Sequence, residues 1–293
     1  SRFFEQGRIG DDSNSGAGDL KDISSVGVFG DGGTCVQEGL FSQGRMVFYS
    51  ADGTFERAIK LRDAPDNRAH LGVRPGADTV YVSTRHGVDS IGVYSRNGTF
   101  VRSFRPSRKY GTTGLLWPSA DVHGLAVSRA GEVYVCEYQQ VHVYGEDGEF
   151  SRVLFELDWH YGSLEGIAVN PRDGIITLLA CARGTVSVGR VIVLDQAGGV
   201  LRMFGERILE CPQGVSVSEW GEIVVADRNK EKVFAFSPEG ELLQEVGGAD
   251  QRGLGGLDAW GDPGFRSPTD VAVRADGSFL VACYESVHVL STA

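Results

Sequence analysis

QGVSVSEWGEIVVADRNKEKVFAFSPEGELLQEVG, residues 213–247, decides the fold. Apolar residues alternate in GVSV (214–217), run together in IVVA (223–226), alternate again in VFAF (233–236) and return in LLQEV (242–246), which is the pattern of four short strands. Glu219-Trp220-Gly221 and Pro238-Glu239-Gly240 punctuate them, each with a glycine that supplies the positive φ of a tight turn, and the polar run Asp227 to Lys232 forms the third break. The stretch therefore predicts a four-stranded antiparallel meander.

Outward from this unit, the same register recurs. First strands are SSVGV (24–28), AHLGV (69–73), HGLAV (123–127), EGIAV (165–169), QGVSV (213–217) and TDVAV (269–273), spaced by 45, 54, 42, 48 and 56 residues. Second strands follow at 35–38, 80–84, 133–137, 176–180, 223–227 and 279–283, and third strands begin at 46, 91, 141, 191, 233 and 287. Periods of this length mark repeat architectures. A single meander has two apolar faces and two raw edges, and packing six of them radially covers the faces. The expected fold is an all-β, six-bladed β-propeller occupying residues 1–293 as a single domain. The last repeat runs out after its third strand, so Arg2 to Gly7, which resembles Arg202 to Glu206, is expected to add the missing strand and close the ring.

Composition fits a soluble globular chain: 293 residues, 41% hydrophobic, with 41 glycines, about twice the usual share, and only 9 prolines. No run of 18 apolar residues and no basic-apolar leader is present, so neither a membrane span nor a secretory signal is expected, and the start at Ser1 reads as a cut fragment. Cys35, Cys136, Cys181, Cys211 and Cys283 are odd in number and lack metal-finger spacing, which points to a reducing, cytoplasmic setting with the thiols as small buried hydrophobes. The formal charge of −11, from 28 basic and 39 acidic residues, repels phosphate backbones and anionic lipid at long range. Neither DNA nor a membrane is an expected partner, no cofactor is expected, and the isolated domain is expected to be monomeric.

The residues FGERILECPQGVSVSEWGEIVVADRNKEKVFAFSPEGELL (204–243) resemble the NHL repeat, especially as found in tripartite-motif (TRIM-NHL) proteins. The resemblance covers all six repeats, strongly in 123–157 and 204–247 and weakly in 24–59. Departures are Arg228, Asn229 and Lys230 where the typical repeat has Asn-His-Arg, and an extended loop at 183–190. The resemblance implies a propeller at the end of a ubiquitin ligase, selecting a protein substrate or binding RNA on its loop-bearing face. RING cysteines do not occur in these residues, so the resemblance places any ligase chemistry outside them.

Single-stranded RNA needs cations for phosphate and flat side chains for bases. The position just past strand two supplies Arg85, Tyr138, Cys181, Arg228 and Tyr284, with Arg105, Arg108, Lys109 and Tyr110 in the nearby link and Arg183 in the fourth repeat. The position just before strand one opposes this reading: it holds His123, Glu165, Gln213 and Thr269, and a carboxylate at Glu165 repels phosphate. Protein and RNA partners both stay open, the protein reading standing first. A third class, the peptide-amidating lyases that share the repeat, holds its metal with three histidines in that register, where this chain offers His123 alone and His70 one position off. His142 and His288 share a place in strand three and read as a structural column, and neither a nucleophile elbow nor a phosphate loop is present. The links 106–122 and 247–268, the latter with Trp260 and Phe265, are long enough to carry function.

Overall fold

The computed structural model describes residues 3–9, 20–38, 44–62, 69–84, 90–106, 122–247, 265 and 267–292. These form six antiparallel sheets of four strands, and the only helical element among the described residues is one 3-10 turn, Trp159–Tyr161. The founding stretch becomes the fifth blade: Pro212–Val217, Ile223–Asp227, Lys232–Phe236 and Leu242–Gly247. Innermost strands Ile23–Val28, Leu71–Val73, Val122–Val127, Ser163–Val169, Pro212–Val217 and Asp270–Val273 each pack on the next, and the sixth returns to the first. They ring an axial channel with a cavity of about 170 Å³.

The sixth blade is built from both ends of the described chain. Phe3–Ile9 pairs antiparallel with Val287–Thr292 as the outermost strand, from Phe3 opposite Thr292 to Ile9 opposite Val287. Closure therefore happens as the repeat pattern predicts, with the strand reaching two residues beyond Gly7. The core lies in slabs between blades. Cys35 and Phe48 of the first blade meet Leu71 and Val80 of the second, and Leu179 and Val191 of the fourth meet Val215 and Phe234 of the fifth. Strands at mid-blade are covered on both sides, hence their unbroken apolar runs. Outer strands such as Phe55–Lys60 are covered on one side and alternate instead. Phe265 of the fifth-to-sixth link is buried with Val246, Phe279 and Leu290, so this part of the link is an anchor, while Trp260 lies outside the described residues.

The inner strands approach closely. A Cβ built on Gly214 would lie 2.3 Å from the Asp270 Cα, so only glycine allows the fifth and sixth blades to meet there. Asp270 in turn ties the sixth blade to the first, its carboxylate accepting from Ser25 Oγ at 2.6 Å and Val26 N at 3.1 Å, while Ser25 Oγ accepts from Leu71 N of the second blade at 3.2 Å. Burial pushes the Asp270 carboxyl up to about 6 against these hydrogen bonds. A carboxyl whose folded pKa exceeds its ordinary value of 3.8 holds its proton more tightly when folded, so stability should fall as pH rises from about 4 to about 6. Asp270→Asn is expected to remove that slope, on the order of 3 kcal/mol, and to melt no lower than the parent at neutral pH. Thermal melts across this range check it, and an unchanged slope would refute the assignment.

Candidate partner-binding face

Second-to-third-strand loops and blade-to-blade links emerge on one face of the propeller. At that end, four innermost strands share an irregularity: pairing jumps from Ile23 to Ser25, Val122 to Gly124, Leu164 to Gly166 and Pro212 to Gly214. The extra residue of each bulge is Ser24, His123, Glu165 or Gln213, and a bulge re-aims the residue it inserts. The register position singled out in the sequence is thus a distinct backbone feature. Its sequence signal is a polar residue followed by glycine in three of the four cases.

The third and fourth blades hold the densest cluster. Tyr138 has a positive φ of 51° and its carbonyl accepts from Leu164 N at 2.6 Å, which fixes the strand-two turn against the next blade. Its ring packs on His123 with centroids 5.2 Å apart. Arg183 follows Ile176–Ala182 and donates from Nη2 to the buried Glu165 carboxylate at 3.0 Å, whose charge holds the guanidinium pKa above its ordinary value. Ser163 Oγ donates to the same carboxylate at 2.7 Å. Cys181, read in the sequence as a rim residue, is instead buried inside that strand, because the strand continues to Ala182.

Between these two loops lies the Asp158–Gly162 link, which sequence reasoning passed over. Asp158 caps the turn, its carboxylate accepting from His160 N at 3.0 Å and Nδ1 at 2.6 Å, which holds its pKa below the usual carboxylate range. Gly162 closes the turn through its N–H to the Trp159 carbonyl at 3.1 Å. The turn lifts Trp159 to 73% exposure, stacked on His160 at 3.8 Å, and leaves Tyr161 37% exposed with Arg190 over its ring at 4.6 Å. An Asp, three aromatics and a glycine in D-W-H-Y-G was the available signal, a capped turn with no apolar period to bury it.

The other expected site residues are dispersed. Arg228 is exposed beyond Asp227 in the fifth blade, with its N–H on the Cys211 carbonyl at 3.1 Å. Tyr284 stands at the seam of the sixth and first blades, where a hydrogen bond with Asp22 pushes its phenol up. Arg105 is exposed just past the second blade's outer strand. Arg85, Arg108, Lys109 and Tyr110 lie outside the described residues.

Charge on this face is locally balanced. Besides Arg183 with Glu165, Arg190 Nε lies 3.6 Å from Glu206, and Lys230 Nζ lies 3.9 Å from Glu210. The histidine column is structural: His142 lies between Glu137 and Gln140, and His288 between Glu5 and Ser286, both rings buried. Among the described residues, no three His, Cys, Asp or Glu side chains are grouped to hold a metal ion, and no helix is long and apolar enough to cross a membrane.

No family model and no curated protein matches the sequence. Solved structures do. A streptogramin B lyase structure aligns with TM-score 0.62 at 13% identity, over 93% of this chain and 94% of that one. A chain of a nidogen/laminin complex aligns at 0.57 and 18% identity, over 77% and 80%. The WD40 repeats of RRP9 align at 0.58 and 12% identity, over 92% and 94%. At such identities these similarities establish the propeller fold and nothing finer, a fold that among these examples occurs in a lyase and in a protein complex.

Proposed function

We propose that the loop-bearing face of the third to fifth blades binds a protein partner, with Trp159 and Tyr161 as its anchors and no catalytic step of its own. The observation that carries this reading is the exposed Trp159 on a capped, rigid turn, flanked by Tyr161 and Arg190. Tryptophan, tyrosine and arginine are enriched in interface hot spots, the two aromatics because they bury much area for little lost freedom and arginine because its planar fork makes several hydrogen bonds. Following the resemblance to TRIM-NHL repeats, the partner is a substrate that this domain selects for ubiquitin transfer performed elsewhere in a larger ligase.

Single-stranded RNA is the second reading, favoured by the exposed cations Arg105 and Arg228 and, elsewhere on the face, by the exposed rings of Trp159 and Tyr161. The balance of charge weighs against it. Arg183, Arg190 and Lys230 each face a carboxylate within 4 Å, and a phosphate must displace that partner. A protein surface with its own mixed charges needs no such exchange.

Proteins captured from lysate by the parent domain and by a Trp159→Ala, Tyr161→Ala variant separate the readings, alongside anisotropy with a random single-stranded RNA at low salt. The expected result is a specific captured protein whose affinity falls about thirtyfold or more in the variant, the effect of losing at least one hot spot, and no RNA binding. Salt-sensitive RNA binding with unchanged protein capture would give RNA first place.

A further inference from the structure

Two of the five cysteines differ from the rest. Cys181, in the second strand of the fourth blade, and Cys211, just ahead of Pro212 at the start of the fifth blade's inner strand, come together across the seam between blades. Cys181 Sγ lies 3.5 Å from the carbonyl oxygen of Glu210, the residue beside Cys211, and its thiol proton is shared between that oxygen and the neighbouring Cys211 sulfur. Cys211 is held in place through its backbone: its N–H reaches both oxygens of the buried Asp227 at 3.1 Å. The Arg183 guanidinium, held on Glu165 at 3.0 Å, is near enough for its charge to act on both sulfurs. Cys181 is 1% exposed and Cys211 8%, so the pair sits just beneath the loop-bearing face with Cys211 the nearer to solvent.

Cys35 and Cys136 provide the contrast within the same molecule. Both are fully covered in the slabs between blades, Cys35 against the Met46 sulfur at 3.7 Å, and burial pushes both thiols up. At the seam, the Cys181 hydrogen bond and the Arg183 charge hold the Cys211 thiol below the ordinary thiol range, against burial and the carboxylates of Glu165 and Asp227. The proton that leaves Cys211 is replaced by that hydrogen bond, which is why Cys181 moves the other way.

We propose that Cys181 and Cys211 are a redox couple, in which hydrogen peroxide oxidises Cys211 and Cys181 then closes a disulfide between the fourth and fifth blades. In the first step the Cys211 thiolate attacks one peroxide oxygen. An S–O bond forms, the O–O bond breaks, and hydroxide leaves and takes a proton to become water. Cys211 is then a sulfenic acid, oxidised by two electrons. In the second step the Cys181 sulfur attacks the Cys211 sulfur. The S–S bond forms, the S–O bond breaks, and the departing hydroxide carries off the Cys181 proton as a second water. Two thiols and one peroxide give one disulfide and two waters, and an excess of a dithiol reverses the change. Closure removes the Cys181 hydrogen bond to the Glu210 carbonyl and the thiolate facing Arg183, so oxidation is written into the loop-bearing face. The thiol chemistry stands independently of whether that face binds a protein.

The purified domain, treated with hydrogen peroxide, alkylated and digested with trypsin, tests the proposal. The expected product is a dithiothreitol-sensitive cross-link between peptides 173–183 and 208–228, two hydrogens lighter than their sum, with Cys35, Cys136 and Cys283 alkylated only after denaturation. Before oxidation, Cys211 should react with iodoacetamide near neutral pH about tenfold faster than Cys35 or Cys136, by its greater thiolate fraction, and Arg183→Gln should slow it. In Cys181→Ser the sulfenic acid should persist on Cys211 and be captured by dimedone. The proposal is overturned if peroxide leaves Cys181 and Cys211 as unreactive as Cys35, if the cross-link joins other cysteines, or if the folded Cys181→Ser protein yields no dimedone adduct. The cross-link in the unsubstituted protein decides the matter should the variants fail to fold.

Discussion

Deleting residues 1–9 is expected to lower the melting temperature by about 10 °C or more and to promote aggregation. The deletion removes the whole outer strand of the sixth blade, including Ile9, which is buried with Leu20, Val287 and Val289. Emptying one such position costs about 2–5 kcal/mol before any hydrogen bond is counted. It also strips Glu5 from His288, whose buried Nδ1 lies 2.8 Å from that carboxylate, and leaves a buried polar ring with half of its network. Val287–Thr292 then becomes a raw edge. Differential scanning calorimetry with light scattering reads the effect, and the peptide of residues 1–9 added in excess should restore part of the lost stability. A truncated protein that melts with the parent would show that ring closure contributes nothing.

Gly162→Ala is expected to cost about 3 kcal/mol or more, since a forbidden backbone conformation and an overpacked contact add together. Gly162 has φ 88° and ψ −134°, a region that residues with a Cβ avoid. Space forbids the methyl as well: it would lie 2.0 Å from the Cys181 carbonyl oxygen and 2.6 Å from the Ala182 Cα, both fixed by the sheet. The same glycine closes the turn that presents Trp159, so partner binding should fall along with stability. Gly7→Ala is the control, because nothing lies within 4 Å of its Cβ and its φ is not positive; it should stay within about 0.5 kcal/mol of the parent. Urea denaturation of the three proteins makes the comparison, and equal midpoints for Gly162→Ala and the parent would defeat the argument.

The ring was legible in the sequence because burial on two faces imposes a rule that each blade must obey. Runs such as 223–226, IVVA, are apolar throughout because sheets cover them on both sides, and a glycine such as Gly240 stands where a tight turn needs a positive φ. Tyr138, Arg183 and Arg228 were legible for a related reason, since a fixed register carries them to the rim. What escaped depends on contacts between blades. Glu165 and Arg183 are 18 residues apart and neutralise each other only because Ile176–Ala182 returns beside Ser163–Val169. Cys181 and Cys211 lie 30 positions apart on different blades, with nothing in their spacing to join them. Trp159 escaped because an aromatic residue ahead of an apolar strand reads as core, and its exposure follows from a turn whose geometry Gly162 sets.

Phe3 opposite Thr292 places the two ends of the sixth blade at the spot where every other blade makes its hairpin between third and fourth strands. The sixth sheet is thus an ordinary blade whose hairpin has been severed. The order in which the described strands run around the ring is therefore interchangeable: a short bridge from 292 to 3, with a new opening at the Asp195–Gly199 turn, describes a circular permutant with the same ring and the same loop-bearing face.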